Sequence, residues 1–300
     1  MIDRNVLKNK FTGEILFDEK MSNHTSYGVG GRVNAYIRPK DKQELIQIIK
    51  LIHKSKSKVY YLGSGSNLLV NDNDINCYVI SPTKAIKSLK ILDNVIQADA
   101  GVMLGKLVKE SMRNELTGLE SLAGVPGTLG GALIMNAGAF GGEISNYLKS
   151  VTAITIAGSE KKYTASDITF EYRNSSFKSN EILIDAELEF IQSNKSTVTE
   201  NKIKASGGRK SSQPLRFRSA GSVFKNTDQY SAGELIDKAD LKGFSIDGVK
   251  VSTKHANFFV ASKGASSSSL YKLVNHVKEV VDSKFGVSLQ KEILFVGKFD

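Results

Sequence analysis

Residues 124–142, GVPGTLGGALIMNAGAFGG, contain seven glycines, one proline and no charged residue. Glycine loses more conformational freedom on folding than any other residue, so a cluster this dense needs a reason. Two reasons fit: backbone at positive φ, or a group lying closer to the main chain than a Cβ allows. A phosphate-bearing ligand resting on backbone N–H groups is one such group.

The rest of the chain bounds the reading. Three hundred residues exceed the usual single domain, so two or three domains are expected. With 40% hydrophobic and 24% charged residues the composition is that of a globular protein. No apolar run approaches the roughly 20 residues that span a bilayer. The first twenty residues carry no apolar core with a small-residue cleavage site, so no signal peptide is expected. A cytoplasmic location fits. Cys77, the single cysteine, excludes an internal disulfide and reads as a buried apolar thiol. The four histidines, His24, His53, His255 and His276, have no metal-binding spacing, so no metal is expected. The formal charge of +10 comes from lysines scattered along the chain, without a dense basic run or a nucleic-acid motif. It suits a solvated surface and an acidic small-molecule ligand better than a nucleic acid.

Hydrophobic periodicity predicts a helix over 41–57, with Leu45, Ile48, Ile49 and Ile52 on one stripe and Asp41 and Glu44 at capping-box spacing. Strands are predicted on both sides of the GSGSN turn (63–67) and in NCYVIS and NVIQADAG. Further strands are predicted near 151–156 and 182–190, in ANFFVA and in KEILFVG. A helix is expected over about 104–116, another opened by Ser231, and a third after the serine run 266–269. The polar stretch 192–201 reads as a domain-boundary loop. Strands and helices mix without strict alternation, which makes the class α+β.

LGSGSNLL (62–69) is no dinucleotide fingerprint, because Leu68 takes the third glycine position and the residues after it are strand-like rather than helical. It reads as a plain turn or as a short nest of N–H groups, with Ser64, Ser66 and Asn67 donating to a diphosphate. Neither a GxxxxGK[ST] loop nor a GxSxG elbow is present, against nucleotide hydrolysis and a serine hydrolase. Three polar residues stand in unusual contexts: Ser222 before Val223 and Phe224, Arg173 after aromatics in FEYRNSSF, and Glu292 within the apolar terminal strand. Each also reads structurally, as a turn serine, a surface arginine and an edge-strand carboxylate.

Seven segments in order, HTSYGVGG (24–31), YLGSGSNLLV (61–70), the glycine-rich stretch, YRNSSF (172–177), SAGSVFKN (219–226), VSTKHANFFV (251–260) and GVSLQKEILFVG (286–297), resemble the UDP-N-acetylenolpyruvoylglucosamine reductase family. The resemblance implies an FAD-binding domain of the vanillyl-alcohol-oxidase (PCMH) type, in subdomains 1–85 and 86–202, and a C-terminal α+β substrate-binding domain, 203–300. It implies non-covalent FAD, NADPH as hydride-donating co-substrate, a UDP-sugar substrate and a role in peptidoglycan precursor synthesis. Cofactor contacts are expected at Gly63, Ser64, Gly65, Ser66, Asn67, Gly124, Gly127, Thr128, Asn136, Ala137 and Gly138. Arg173 and Glu292 are expected to stabilise charge developing on the substrate, Ser222 to deliver a proton, and Lys225 and Asn226 to contact substrate. Arg218 and Thr227 stand where prolines are common, and Gln290 replaces a frequent glutamate. The interval between ILIDAELEF and SAGSVFKN has no room for the inserted tyrosine loop of the longer family form, so the shorter form is implied. The alternatives are a flavin oxidase on the same fold and a basic nucleotide-binding module without catalysis.

Overall fold

The computed structural model describes residues 2–299. Among them the peptide bonds are all trans, and helices and strands alternate irregularly, as an α+β class requires. The chain divides into two compact units. One comprises Met1–Phe17, Asn34–Ser64 and Asn76–Gly208; the other comprises Asp18–Val33, Gly65–Ile75 and Arg209–Asp300. Each has its own buried apolar core.

The first unit is built around two sheets. A four-stranded sheet has the order Glu14–Lys20, Arg32–Arg38, Ile75–Ile80, Val59–Tyr61, the last pair parallel. A five-stranded antiparallel sheet has the order Glu160–Thr164, Leu148–Thr155, Glu181–Glu189, Val95–Asp99, Leu89–Leu92. Its central strand, Glu181–Glu189, buries Ile182, Leu183 and Ile184 in succession, as expected for a strand paired on both edges. Helix Lys42–Lys54 presents Leu45, Ile48, Ile49 and Ile52 to the core, each 1% exposed or less, so the expected stripe is the buried face.

Half of the expected capping box forms. Asp41 accepts from Glu44 N at 2.8 Å, but the Glu44 carboxylate does not return to the cap. It is buried and accepts from Thr12 N, Gly13 N and Lys40 N, and these donors hold its pKa below the usual range against the opposing effect of burial.

One expectation fails. The stretch 192–201 is not a loop: helix Lys195–Ser212 begins within it, with Asn194 Oδ1 accepting from Thr197 N at 3.0 Å as an N-cap. Its buried residues are Val198, Ala205 and Arg209, too few and too far apart to make a visible stripe.

The second unit places a three-stranded antiparallel sheet, Ser245–Ile246, Val249–Val251 and Phe259–Ala261, against helix Ser267–Phe285. That helix has Ser266 as N-cap, accepting from Ser269 N at 3.0 Å, and Gly286 at φ 66° as its left-handed C-cap. Leu68–Val70 and Leu294–Val296 form a parallel pair in the same unit, joining the end of the GSGSN turn to the chain's last strand.

Candidate functional site

In the first unit the glycine-rich stretch folds into tightly bonded irregular backbone. Gly127 has φ 151° and Gly124 φ 81°, and Gly127 O accepts from Leu104 N at 2.9 Å. Leu129 N and Gly130 N donate to Val102 O and Ala100 O, so the chain here lies against 100–104 like a strand. Thr128 then caps the short helix Leu129–Ile134, accepting from Gly131 N at 3.3 Å. Next comes a hairpin, Gly138–Ala139 against Gly142–Glu143, turning at Phe140 and Gly141 with φ 50° and 83°.

The glycines serve two needs. Some make room for the protein itself. A Cβ on Gly63 would lie 2.5 Å from Thr128 Oγ1, one on Gly138 2.9 Å from Gly142 O, and one on Gly142 2.5 Å from Ser121 Oγ. Gly65, at φ 68°, leaves no room for a Cβ against His24 O. Gly127 and Gly141 are different: nothing lies within 4 Å of where their Cβ atoms would be. Open space above side-chain-free backbone leaves room for a bound group. Ser121 Oγ, buried beside Gly142 without a partner among the described residues, supplies an unused hydrogen-bonding atom at the same segment. The segment thus forms a wall of bare backbone, open at Gly127, with the Ser121 hydroxyl beside it.

Arg173 is fastened to this wall. It occupies the two-residue turn between Phe170–Glu171 and Asn174–Ser175 at φ 54°, in the left-handed region that few non-glycine residues enter. Its guanidinium lies over the Tyr172 ring at 4.7 Å, and Nη2 donates to Gly138 O at 2.6 Å. Two more bonds tie the hairpin to the same segment. Asn136 Nδ2 donates to Glu171 O at 3.1 Å, and Ser175 Oγ donates to Ile134 O at 2.7 Å. Asn136, 1% exposed, also donates to Glu143 Oε2 at 2.8 Å and accepts from Ser145 N at 3.4 Å. Its amide therefore braces the Arg173 hairpin rather than projecting from the wall.

In the second unit the segment around Ser222 lies between two others. Ser222 bridges to Phe258 and Phe224 to Lys291. Val223 N donates to Asn257 O at 2.9 Å, Glu292 N donates to Val223 O at 2.8 Å, and Lys225 N donates to Gln290 O at 2.8 Å. Ser222 and Glu292, seventy residues apart in sequence, thus sit on adjacent paired backbones, both half-buried beside fully buried Val223 and Phe224. Asn67 joins them: its Nδ2 donates to Glu292 O at 3.2 Å, and its carbonyl accepts from Leu294 N at 3.0 Å. Gly221, at φ 81° with open space at its Cβ position, leaves the approach to the Ser222 side chain clear. Lys225 continues the same segment, half-buried. The Asn226 side chain is turned to the backbone, where Oδ1 accepts from Ala232 N at 3.0 Å and caps helix Ala232–Lys238, although the sequence points to Ser231 as its capping side chain.

Two positioning residues escape sequence reading. Asn257 holds both backbone polar atoms of Phe224, and Glu143 receives the Asn136 amide. Asparagine and glutamate at such places carry no spacing signal; only the paired backbones reveal them.

Among the described residues no cluster of side chains could hold a metal ion, and no helix is long and apolar enough to cross a membrane. The profile of the UDP-N-acetylenolpyruvoylglucosamine reductase C-terminal domain matches residues 213–296, and an FAD binding domain profile matches 33–163. The UDP-N-acetylenolpyruvoylglucosamine reductase of Oceanobacillus iheyensis is 37% identical over 95% of this chain and 92% of its own. That of Clostridioides difficile is 36% identical over 95% and 94%. The crystal structure of the Thermus caldophilus reductase superposes with a TM-score of 0.81 at 30% identity, covering 95% of this chain and 99% of that one. Likeness of this degree over nearly the full length of each relative settles the family: the chain is a member of the UDP-N-acetylenolpyruvoylglucosamine reductases.

Proposed function

We propose that this chain is an FAD-dependent, NADPH-using reductase that converts the enolpyruvyl group of UDP-N-acetylglucosamine enolpyruvate to the lactyl ether of UDP-N-acetylmuramate, in peptidoglycan precursor synthesis. The observation that carries the reading is the end-to-end likeness to reductases named for this activity, at 37% identity over 95% of the chain. When bound, FAD supplies the two-electron store through which hydride from NADPH reaches the substrate double bond.

The chain's own residues supply the rest. Hydride arriving at the alkene of an α,β-unsaturated carboxylate moves negative charge toward the carboxylate, giving an enolate-like species. Arg173, fixed by the Gly138 carbonyl and the Tyr172 ring, offers a preorganised cation for that charge. In its protonated form Glu292 would donate a hydrogen bond to the substrate carboxylate. Ser222 gives its hydroxyl proton to the substrate carbon. A serine hydroxyl is a weak acid, and an enolate carbon is basic enough to take its proton. Lys225 provides positive charge for substrate phosphates, and Asn226 holds the start of the neighbouring helix beside it.

Residues 1–85 and 86–202 carry the flavin-binding role and 203–300 the substrate-binding role in this reading, with the GSGSN turn contributing donors to the cofactor diphosphate. The partner is a small UDP-sugar rather than a nucleic acid or a membrane, and the enzyme works in the cytoplasm.

The test is product analysis. With NADPH and the enolpyruvyl nucleotide, one equivalent of NADPH should be consumed per nucleotide, whose mass should rise by two hydrogens. NADPH oxidation that needs oxygen and leaves the nucleotide unchanged would instead identify an oxidase on the same fold.

A further inference from the structure

Asn257 is 3% exposed, and both ends of its side-chain amide are committed to one backbone residue. Oδ1 accepts from Phe224 N at 2.9 Å and Nδ2 donates to Phe224 O at 2.7 Å. Its own carbonyl accepts from Val223 N at 2.9 Å, and the next residue, Phe258, bridges to Ser222. An amide that pairs with both polar atoms of a residue replaces a neighbouring strand at that point. Phe224 is fully buried, so without Asn257 its N–H and C=O would lose their partners away from water.

Ser222 is held from both sides. On the C-terminal side, Val223 and Phe224 are held by Asn257, while Glu292 N donates to Val223 O and Lys225 N to Gln290 O. On the N-terminal side Gly221, at φ 81° with open space only at its Cβ position, donates from N to Ser219 Oγ at 3.2 Å, and Arg218 O accepts from Ala261 N at 2.9 Å. The direction in which Ser222 leaves the backbone is therefore set jointly by its bridge to Phe258 and by the Phe224 clamp two residues on. Phe224 also packs edge-on against Phe259, with ring centroids 6.0 Å apart, so the clamped residue is seated in the core of its unit.

From this arrangement we infer that Asn257 is a positioning residue for proton delivery, aiming the Ser222 hydroxyl by locking the Phe224 backbone. The inference rests on the reading of Ser222 as proton donor. Proton transfer to carbon demands close, aligned approach, and misplacement by about 1 Å can cost on the order of 10²-fold in rate.

The experiment compares purified holoenzymes: wild type, Ser222→Ala, Asn257→Ala and the double variant. Each is bleached anaerobically with NADPH and then mixed rapidly with the enolpyruvyl nucleotide. Asn257→Ala should retain FAD and bleach at the wild-type rate, because that half-reaction requires no proton at carbon. Its reoxidation by nucleotide should slow by about 10- to 100-fold, with kcat falling and KM nearly unchanged. In the Ser222→Ala background the same change should cost less than about threefold more, since the hydroxyl it aims is gone.

Asn257→Asp fills the same space and keeps the acceptor for Phe224 N–H, so it serves as a second variant if the alanine protein does not fold. Because it sets an oxygen in place of the donor to Phe224 O, it too should slow reoxidation, again with bleaching intact. Wild-type reoxidation by either Asn257 variant beside a slow Ser222→Ala enzyme overturns the positioning role alone, as do losses that multiply in the double variant. Wild-type reoxidation by Ser222→Ala overturns the proton-donor reading and this inference with it.

Discussion

Gly138→Ala is the substitution whose consequence the structure specifies most fully. Gly138 pairs with Glu143 across the hairpin, and its carbonyl accepts the Arg173 Nη2 bond at 2.6 Å. A Cβ there would stand 2.9 Å from Glu143 Cγ, 2.9 Å from Gly142 O and 3.1 Å from Arg173 Nη1. The first of these atoms can swing aside. The second is backbone in the paired strand and moves only if the hairpin opens. Overpacking of this kind costs about 1–3 kcal/mol. In a chain this large that lowers the melting temperature by about 2–4 °C per kcal/mol.

The functional loss should exceed the stability loss. Displacing Gly138 moves the carbonyl that orients the Arg173 guanidinium, and a misplaced charge-stabilising group should reduce turnover by about 10- to 100-fold. Thermal unfolding of the apoprotein, FAD binding by flavin fluorescence, and steady-state turnover separate these effects. The expected outcome is a modestly destabilised protein that still binds FAD and turns over slowly. Wild-type turnover with wild-type unfolding would refute the link between Gly138 and Arg173.

Other substitutions probe neighbouring parts of the account. Gly127→Val places a branched side chain in space that is empty of protein, at a φ of 151° that favours glycine; it should purify without visible colour yet unfold cooperatively, and a fully yellow protein would remove Gly127 from the flavin wall. Arg173→Ala should lose about 10²–10³ in turnover, and Arg173→Lys most of that, because a point charge cannot both stack on Tyr172 and reach the Gly138 carbonyl; turnover near wild type would contradict the role. Glu292→Gln, which keeps a donor, should retain more activity than Glu292→Ala, and equal losses would argue against donation from this side chain. Burial pushes the Cys77 thiol up to about 11 from 9.0. A raised folded-state pKa stabilises below the unfolded value, so that contribution should be lost as pH rises from about 9 to about 11, and a urea titration of Cys77→Ala should lack this part of the alkaline slope. Burial, with the Lys242 charge, pulls His255 below 6.5. A lowered folded-state pKa stabilises above the unfolded value, so stability should fall as pH drops below 6.5, and less so in His255→Gln.

The sequence is most legible where burial imposes a period. Leu45, Ile48, Ile49 and Ile52 mark their helix because one face of it meets the core, and the helix expected after the serine run 266–269 begins inside that run, at Ser267 with Ser266 as its cap. Helix Lys195–Ser212 is hidden for the converse reason. It buries little beyond Val198 and Ala205 and carries Gly207 and Gly208 within its length, so neither period nor propensity announces it.

The glycine-rich stretch announces irregular backbone, but its composition does not separate the glycines that accommodate neighbouring protein atoms from those that face open space. Gly138 and Gly142 belong to the first kind and Gly127 to the second, a distinction made by tertiary contacts. Ser222, Arg173 and Glu292 stand out through their motifs, whereas Asn257 does not, because its partner is the backbone of a residue thirty-three positions away. Asn136 and Asn226 show the reverse: residues prominent in motifs whose side chains are engaged with the protein's own backbone.

The central claim is that hydride taken from NADPH is delivered to the enolpyruvyl group with Ser222 supplying the proton. The most direct measurement is anaerobic rapid mixing, in two stages, of wild-type and Ser222→Ala holoenzymes. NADPH should bleach the flavin equally fast in both. The enolpyruvyl nucleotide should then restore the colour quickly in wild type and at least about 10²-fold more slowly in Ser222→Ala, with the lactyl ether appearing in step. Equal recovery in the two proteins, or colour that returns only when oxygen is admitted, would contradict the account.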